Sequence, residues 1–384
     1  MGFACDTLGL KDPINYLRRS FMEYTGKWID GHIHIEDEEG IDLSVLNQAM
    51  EDIRRVSRME AYALQSIPSW DEEHVLQNPL CILQKALYPD TTYYFGGLDY
   101  YVYKPEERDF REQLETLLSV GADGFKIIET KPMVGKQIGL SSLTAPEYSG
   151  FFALLEEKRV PVMWHVGDPE TFWDKDKAPE WAAPSGWFYG DGTFPSKESL
   201  YSDVEEILRR YPGLSITFAH MLFLAYDLER LDRMLEKYPN IRVDLTPGCE
   251  MYGGFALRQE DWRQFFIKYQ DRVLLGTDGG LVKCRGTQAK IDHAAGHAER
   301  IRKFLSTDEE LYFDDYGVMG VSLPDEICEK ILYSNFIKAV GEKPKKISIP
   351  EACEYLDRLA GHIEDEGYLK RLGEIKGKLL LLKS

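Results

Sequence analysis

The stretch WIDGHIHI, Trp28 to Ile35, puts His32 and His34 one residue apart at the end of an apolar run. In a β-strand, side chains at i and i+2 leave on the same side. Both imidazoles would then face one point, which suits a metal ion. Two solvated histidines at a polar strand end would give the same pattern, so the rest of the chain must supply the other ligands.

Similar apolar runs recur at a steady interval. They start at Lys27 (KWIDGHIHI), Arg58 (RMEAYALQSI), Thr91 (TTYYFGGLDY), Gly124 (GFKIIE), Pro161 (PVMWHVG), Ser215 (SITFAHML), Ile241 (IRVDLTPG) and Val273 (VLLGTDGG). The gaps between starts are 31, 33, 33, 37, 54, 26 and 32 residues. One βα unit takes ~30 residues, so six gaps fit and one carries an insertion. Segments such as SVLNQAMEDIRRV, APEYSGFFALLEEKR and DLERLDRMLEKYPN place apolar residues three and four apart, which is a helical spacing. Ser196 stands as an N-cap before acidic residues. Eight alternating units predict an α/β fold, a (β/α)8 TIM barrel. A doubly wound open sheet is the second reading, but no glycine-rich phosphate loop follows the first run.

Three regions fall outside the repeat: a helical leader (1–26), a loop after strand five (168–197) rich in Trp, Pro and Gly, and a helical C-terminal extension (341–384) packed on a metal-dependent barrel (27–340). The tail from about Leu311 reads as helices only. A loop that long in a compact enzyme is expected to be a lid or binding loop.

With 46 Lys+Arg against 65 Asp+Glu the net charge is −19, which argues against nucleic-acid binding, since that needs a basic footprint. The start, MGFACDTLGLKDP, shows no secretory pattern, and Asp6 breaks the myristoylation pattern. No apolar run approaches the ~20 residues of a membrane span. The six cysteines form no CxxC pair and read as reduced thiols. The expectation is a cytoplasmic protein acting on a small molecule, away from membranes.

Of the eight histidines, His32, His34, His165 and His220 end predicted strands, and Asp278 ends the eighth. Strand C-termini of a (β/α)8 barrel open onto one crater, so residues far apart in the chain meet there. A lone histidine at a strand end is commonly a hydrogen-bonded core residue; four on one face with an aspartate point to a metal. His293 and His297, four apart on one helix, read as surface residues, and His74 and His362 carry no signal.

These motifs, with the closing LPDEICEKILYSNFIKAVG, resemble the amidohydrolase superfamily. More narrowly they are similar to the amidohydrolase-related branch that includes aminocarboxymuconate-semialdehyde decarboxylase and pyrone-dicarboxylate lactonase. Tyr333-Ser334-Asn335 departs from the Tyr-Gly-Asn common in that branch. The resemblance implies one divalent metal, usually zinc, held by His32, His34, His165 and Asp278, with a water completing the shell. It implies His220 as general acid/base, a role Asp278 could share. Lys126 occupies the strand where binuclear relatives carry a carbamylated lysine, a bridge this branch lacks; it is expected to orient substrate or pair with Glu129. By analogy with relatives the chain forms a homodimer.

Trp164, Trp173, Trp181, Trp187 and Tyr189 could wall a pocket for a cyclic substrate or form a local core for their loop. Lys131, Tyr252 and Arg285 follow strands four, seven and eight and could face the crater, Arg285 as a fork donor for a carboxylate. The function expected is a metal-dependent hydrolase, with metal-activated water attacking a C–O or C–N bond of a small cyclic or carboxylated substrate. The alternative on the same ligands is a non-oxidative decarboxylase of an aromatic or unsaturated acid. A non-catalytic metal- or ligand-binding barrel is the third reading.

Overall fold

The computed structural model describes residues 26–37, 41–248, 251–281, 287–313 and 316–382. The barrel strands are β1 (Ile29–Ile35), β2 (Ala61–Gln65), β3 (Thr92–Gly96), β4 (Gly124–Thr130), β5 (Pro161–Val166), β6 (Ser215–Phe218) and β7 (Ile241–Asp244). The eighth barrel strand is broken into β8 (Val273–Leu274) and β9 (Gly279–Leu281). Each strand pairs in parallel with the next from β1 to β8, and β9 pairs back onto β1. The break at Leu275–Asp278 thus lets one chain segment close the sheet on both neighbours. This is the TIM barrel expected from the repeat.

The helices between strands are α1 (Leu43–Ser57), α2 (Gln77–Leu87), α3 (Phe110–Val120), α4 (Pro132–Ile138), α5 (Ser149–Lys158), α6 (Lys197–Arg210), α7 (Leu228–Lys237), α8 (Met251–Leu257), α9 (Gln259–Lys268) and α10 (Thr287–Ser306). Ser196 caps its helix as expected, and three aspartates cap others in the same way. Asp42, Asp109, Ser196 and Asp227 each accept a backbone N–H of the first turn, satisfying donors a helix leaves open.

Strand alternation sorts the core. Tyr62 and Leu64 pack outward against helices, while Ala61 and Ala63 face the barrel interior with Tyr93, Phe95 and Met163. Small residues on one strand make room for aromatics on the next. Phe336 closes the floor from α12 (Asn335–Val340), which follows α11 (Asp325–Glu329) through a π-turn.

The tail differs from the helices-only expectation. Glu310–Phe313 (β10) and Tyr316–Met319 (β11) form an antiparallel hairpin before α11. In β10 exposed and buried residues alternate, a short strand signal overlooked beside longer helical ones. Then α13 (Ile349–Ala360) and α14 (Glu366–Leu381) lie against α3 and α2. Arg371 of α14 clamps Asp37, just beyond β1, with Nε 3.0 Å and 3.1 Å from its two oxygens. Among the described residues no helix is long and apolar enough to cross a membrane.

Candidate active site

His32 is buried in the middle of β1, three residues before its end. Its Nδ1 lies 2.9 Å from Asp244 Oδ2 and 3.1 Å from Thr246 Oγ1. An ionised carboxylate only accepts hydrogen bonds, so Nδ1 carries the proton and Nε2 keeps its lone pair. That Nε2 is 3.6 Å from Asp278 Oδ1, and His34 Nε2 is 3.1 Å from the same oxygen. Ligand atoms of His32, His34 and Asp278 all lie within 4.8 Å of one another. Around one zinc ion, ligands at 2.0–2.2 Å stand roughly 3.3 Å apart. The three side chains therefore fit one small divalent cation.

Local backbone geometry sets this up. Asp278 has φ 53°, and Gly280 beside it has φ 115°. A Cβ on Gly280 would come within 1.9 Å of the His34 carbonyl oxygen, so only glycine lets β9 approach β1 there. Asp30, fully buried, accepts from the backbone N–H groups of His32 and Thr277, both at 3.1 Å, and from the Thr277 hydroxyl. One carboxyl group thereby ties the first strand to the broken eighth. Burial pushes its pKa up to about 7.

His220 comes just after β6, in a left-handed turn. His220, Met221, Leu222 and Phe223 all have φ between 51° and 58°. For non-glycine residues this conformation costs about 1–2 kcal/mol each. Long-range hydrogen bonds offset it: Asp244 Oδ1 accepts from His220 N at 2.8 Å, and Tyr201 donates to the Leu222 carbonyl at 2.9 Å. His220 Nδ1 is 3.2 Å from the Thr246 carbonyl, so it is the donor and Nε2 is left with a lone pair. Burial, aided by His165, pushes His220 down to about 3, which favours the neutral imidazole.

His165 stands apart from the His32, His34 and Asp278 group. Its ring centre is 4.8 Å from that of His220, but its Nε2 donates to the Gly167 carbonyl at 2.8 Å. It does not belong to the three-residue ligand group, and only its Nδ1 remains for a further contact.

The charges are consistent with ligation. Burial holds His32 well below its ordinary pKa, with Lys126 adding to the effect, and a neutral imidazole is the form that binds metal. Burial works against an ionised Asp278, but the His34 hydrogen bond and the neighbouring histidines hold it well below the usual carboxylate range. Its side chain is 39% exposed, and the hydrogen bond and the histidines together outweigh burial.

The other residues singled out by the sequence fall in different places. Lys126 is buried, and its Nζ is 2.8 Å from His32 Nε2. No hydrogen bond joins it to Glu129. Burial lowers Lys126 to about 8, so it gives up a proton more readily than an ordinary lysine. Trp187 stacks under Lys131, whose Nζ is 3.8 Å from the ring centre. Lys131 in turn pairs with Asp168 at 3.1 Å, and Tyr189 donates to the other oxygen of Asp168.

The loop aromatics form mainly their own core: Phe172, Trp181 and Trp187 pack edge to face or tilted, and Trp173 sits on Tyr189. Trp164 is a buried barrel residue, its Nε1 on Thr130. Tyr252 is a correction, because it does not face the crater. It is fully buried, stacks 3.5 Å from Phe313 and donates to the Leu245 carbonyl; the overlooked hairpin supplies its partner. Arg285 lies outside the described residues. His293 is exposed as expected, but His297 is partly buried with no hydrogen-bond partner at Nδ1.

Asp244, Asp30 and Asp168 escaped the sequence reading. Each sits at or near a strand end, but aspartates are common there, and their partners lie far away in the chain.

Residues 29–341 match the family model described as Amidohydrolase. A solved structure titled as an amidohydrolase II shares 15% identity, with TM-score 0.50, covering 82% of this chain and 99% of that one. The 4-oxalomesaconate hydratase of Rhodopseudomonas palustris shares 13%, with TM-score 0.50, covering 86% and 98%. The 5-carboxyvanillate decarboxylase of Novosphingobium aromaticivorans, complexed with manganese and 4-hydroxy-3-methoxy-5-nitrobenzoic acid, shares 14%, with TM-score 0.49, covering 82% and 96%. At such identities the two likenesses with TM-score 0.50 speak for the fold alone. No curated protein matches the chain.

Proposed function

The chain belongs to the amidohydrolase family, and from that premise we propose that it is a metal-dependent hydrolase of a small cyclic or carboxylated substrate. The barrel of 27–340 carries the site, and 341–384 is its extension. The observation that carries the reading is the convergence of His32 Nε2, His34 Nε2 and Asp278 Oδ1 at metal-ligand spacing. His165 is the proposed fourth ligand. Zinc suits this imidazole and carboxylate set. A bound divalent cation supplies Lewis acidity and a water acidified toward neutral pH.

The chain's own groups do the rest. His220 presents Nε2 as the base that takes a proton during attack and returns it to the leaving group. Asp278, ionised, shares in that transfer. Lys126 and the Lys131–Trp187 pair bring two buried cationic groups and an aromatic face to the crater wall; Arg285, outside the described residues, is kept as the proposed fork donor on its place in the sequence alone. They favour a substrate with a planar, anionic part.

The test is turnover of a panel of lactones, amides and esters bearing carboxylates, with and without chelator, alongside metal analysis. Chelator-sensitive hydrolysis with about one metal per chain supports the reading. CO2 release from aromatic or unsaturated acids without hydrolysis would replace it with the decarboxylase alternative. That alternative uses the same ligands, with His220 as proton donor to a substrate carbon.

A further inference from the structure

We propose that Asp244 is a positioning residue that sets both the proposed ligand His32 and the proposed base His220, and that it acts by fixing which nitrogen of His32 carries the proton. The inference rests on the metal-site reading above. Asp244 ends β7 and is fully buried. Its two oxygens divide the work. Oδ2 faces His32 Nδ1 at 2.9 Å; Oδ1 accepts from the backbone N–H of His220 at 2.8 Å and of Thr246 at 3.1 Å.

The first contact leaves the His32 lone pair on Nε2, which faces Lys126 Nζ at 2.8 Å and Asp278 Oδ1 at 3.6 Å. The second anchors the first residue of the left-handed turn that carries His220. The space is tight: a Cβ on Gly276 would meet Thr246 Oγ1 at 2.3 Å, His32 Cβ at 2.7 Å and Asp244 Oδ2 at 3.2 Å. The ladder β7–β8 and the broken strand after it hold the three groups in register.

An amide at position 244 separates these roles. In Asp244→Asn the remaining oxygen satisfies the two backbone donors, which turns the NH2 toward His32. Two donors cannot face each other, so His32 must give up the Nδ1 proton and carry it on Nε2, where the ligand lone pair was. The experiment uses the full-length chain without metal and reads the His32 tautomer from imidazole 15N shifts, followed by titration with Zn2+ or Co2+. Wild type is expected as the Nδ1–H form and D244N as the Nε2–H form, with affinity for the ion down ~10–100-fold, as for other carboxylates behind a metal-binding histidine.

An unchanged tautomer and affinity in D244N, with only a lowered melting temperature, would overturn the proposal. Thr246→Val supplies the control should D244N not fold. It removes the competing Oγ1, 3.1 Å from Nδ1. Retention of the Nδ1–H form there assigns the effect to Asp244, whereas a switch to Nε2–H assigns it to Thr246 and sinks the proposal. A wild type that takes up no ion defeats the metal reading, while the tautomer comparison still decides the role of Asp244.

Discussion

Two buried polar clusters sit beyond the strand ends of this barrel, and they are finished differently. Around Asp99, after β3, every group is spent on another. Tyr355 of α13 donates to Asp99 Oδ2 at 2.7 Å, Ser69 donates to Oδ1, and Asp99 N donates to Gln113. Asn78 bridges Tyr94, Gly97 and Tyr355. Around His32 the outer Nδ1 is held by Asp244, while the Nε2 atoms of His32 and His34 converge on one oxygen of Asp278, with Lys126 Nζ 2.8 Å from His32 Nε2. A closed network rigidifies; one whose imidazole nitrogens and carboxylate oxygen converge on a common point suits a cation. The difference separates a docking device from a reaction centre, although both are rich in Asp and aromatic or imidazole groups.

Substitutions should separate the two clusters sharply. His32→Ala or His34→Ala should abolish both bound metal and turnover, measured by metal analysis and a hydrolysis assay; full metal content in both would erase the distinction. His220→Ala should keep most metal yet lose rate by ~10²–10⁴. Gly248→Ala, whose Cβ would stand 3.0 Å from His220 Nδ1, should show a weaker version of the same split.

In the closed cluster the effect should be on stability instead. Tyr355→Phe leaves Asp99 Oδ2 without its donor and should cost about 1–3 kcal/mol in denaturant unfolding, with the rate constant of catalysis unchanged. Asp99 also adds a pH dependence. Burial raises it from 3.8 to about 6, so its contribution to stability is full below about 3.8 and is lost as pH rises through 6. The stability of Asp99→Asn relative to wild type should therefore improve between about pH 4 and 7; a flat difference would show that the carboxyl group is not strained by burial. The smallest effect belongs to Arg371→Ala, which removes the half-buried clamp on Asp37 and should cost roughly 1 kcal/mol.

Much of the site was legible in the sequence. A period near that of one βα unit located the strands, and with them the side of the barrel on which His32, His34, His220 and Asp278 meet. Tyr252 was misplaced because position after a strand says nothing about which way a helix turns its side chains; its aromatic partner sits on a hairpin of four-residue strands, too short to stand out. Lys126 was placed near the end of the correct strand, but its contact with His32 was not foreseen, because the partner comes from a strand 94 residues away.

The sequence alone therefore determined the alternation of strands and helices and put His32, His34, His165, His220 and Asp278 at or near strand ends, because apolar periodicity is a local property. Only the tertiary structure decided which nitrogen of each histidine is free, how Asp244 reaches across 212 residues to His32, and that His220 sits in a left-handed turn. Those outcomes depend on hydrogen bonds between strands brought together by closing the barrel, and such bonds leave no trace in the order of neighbouring residues.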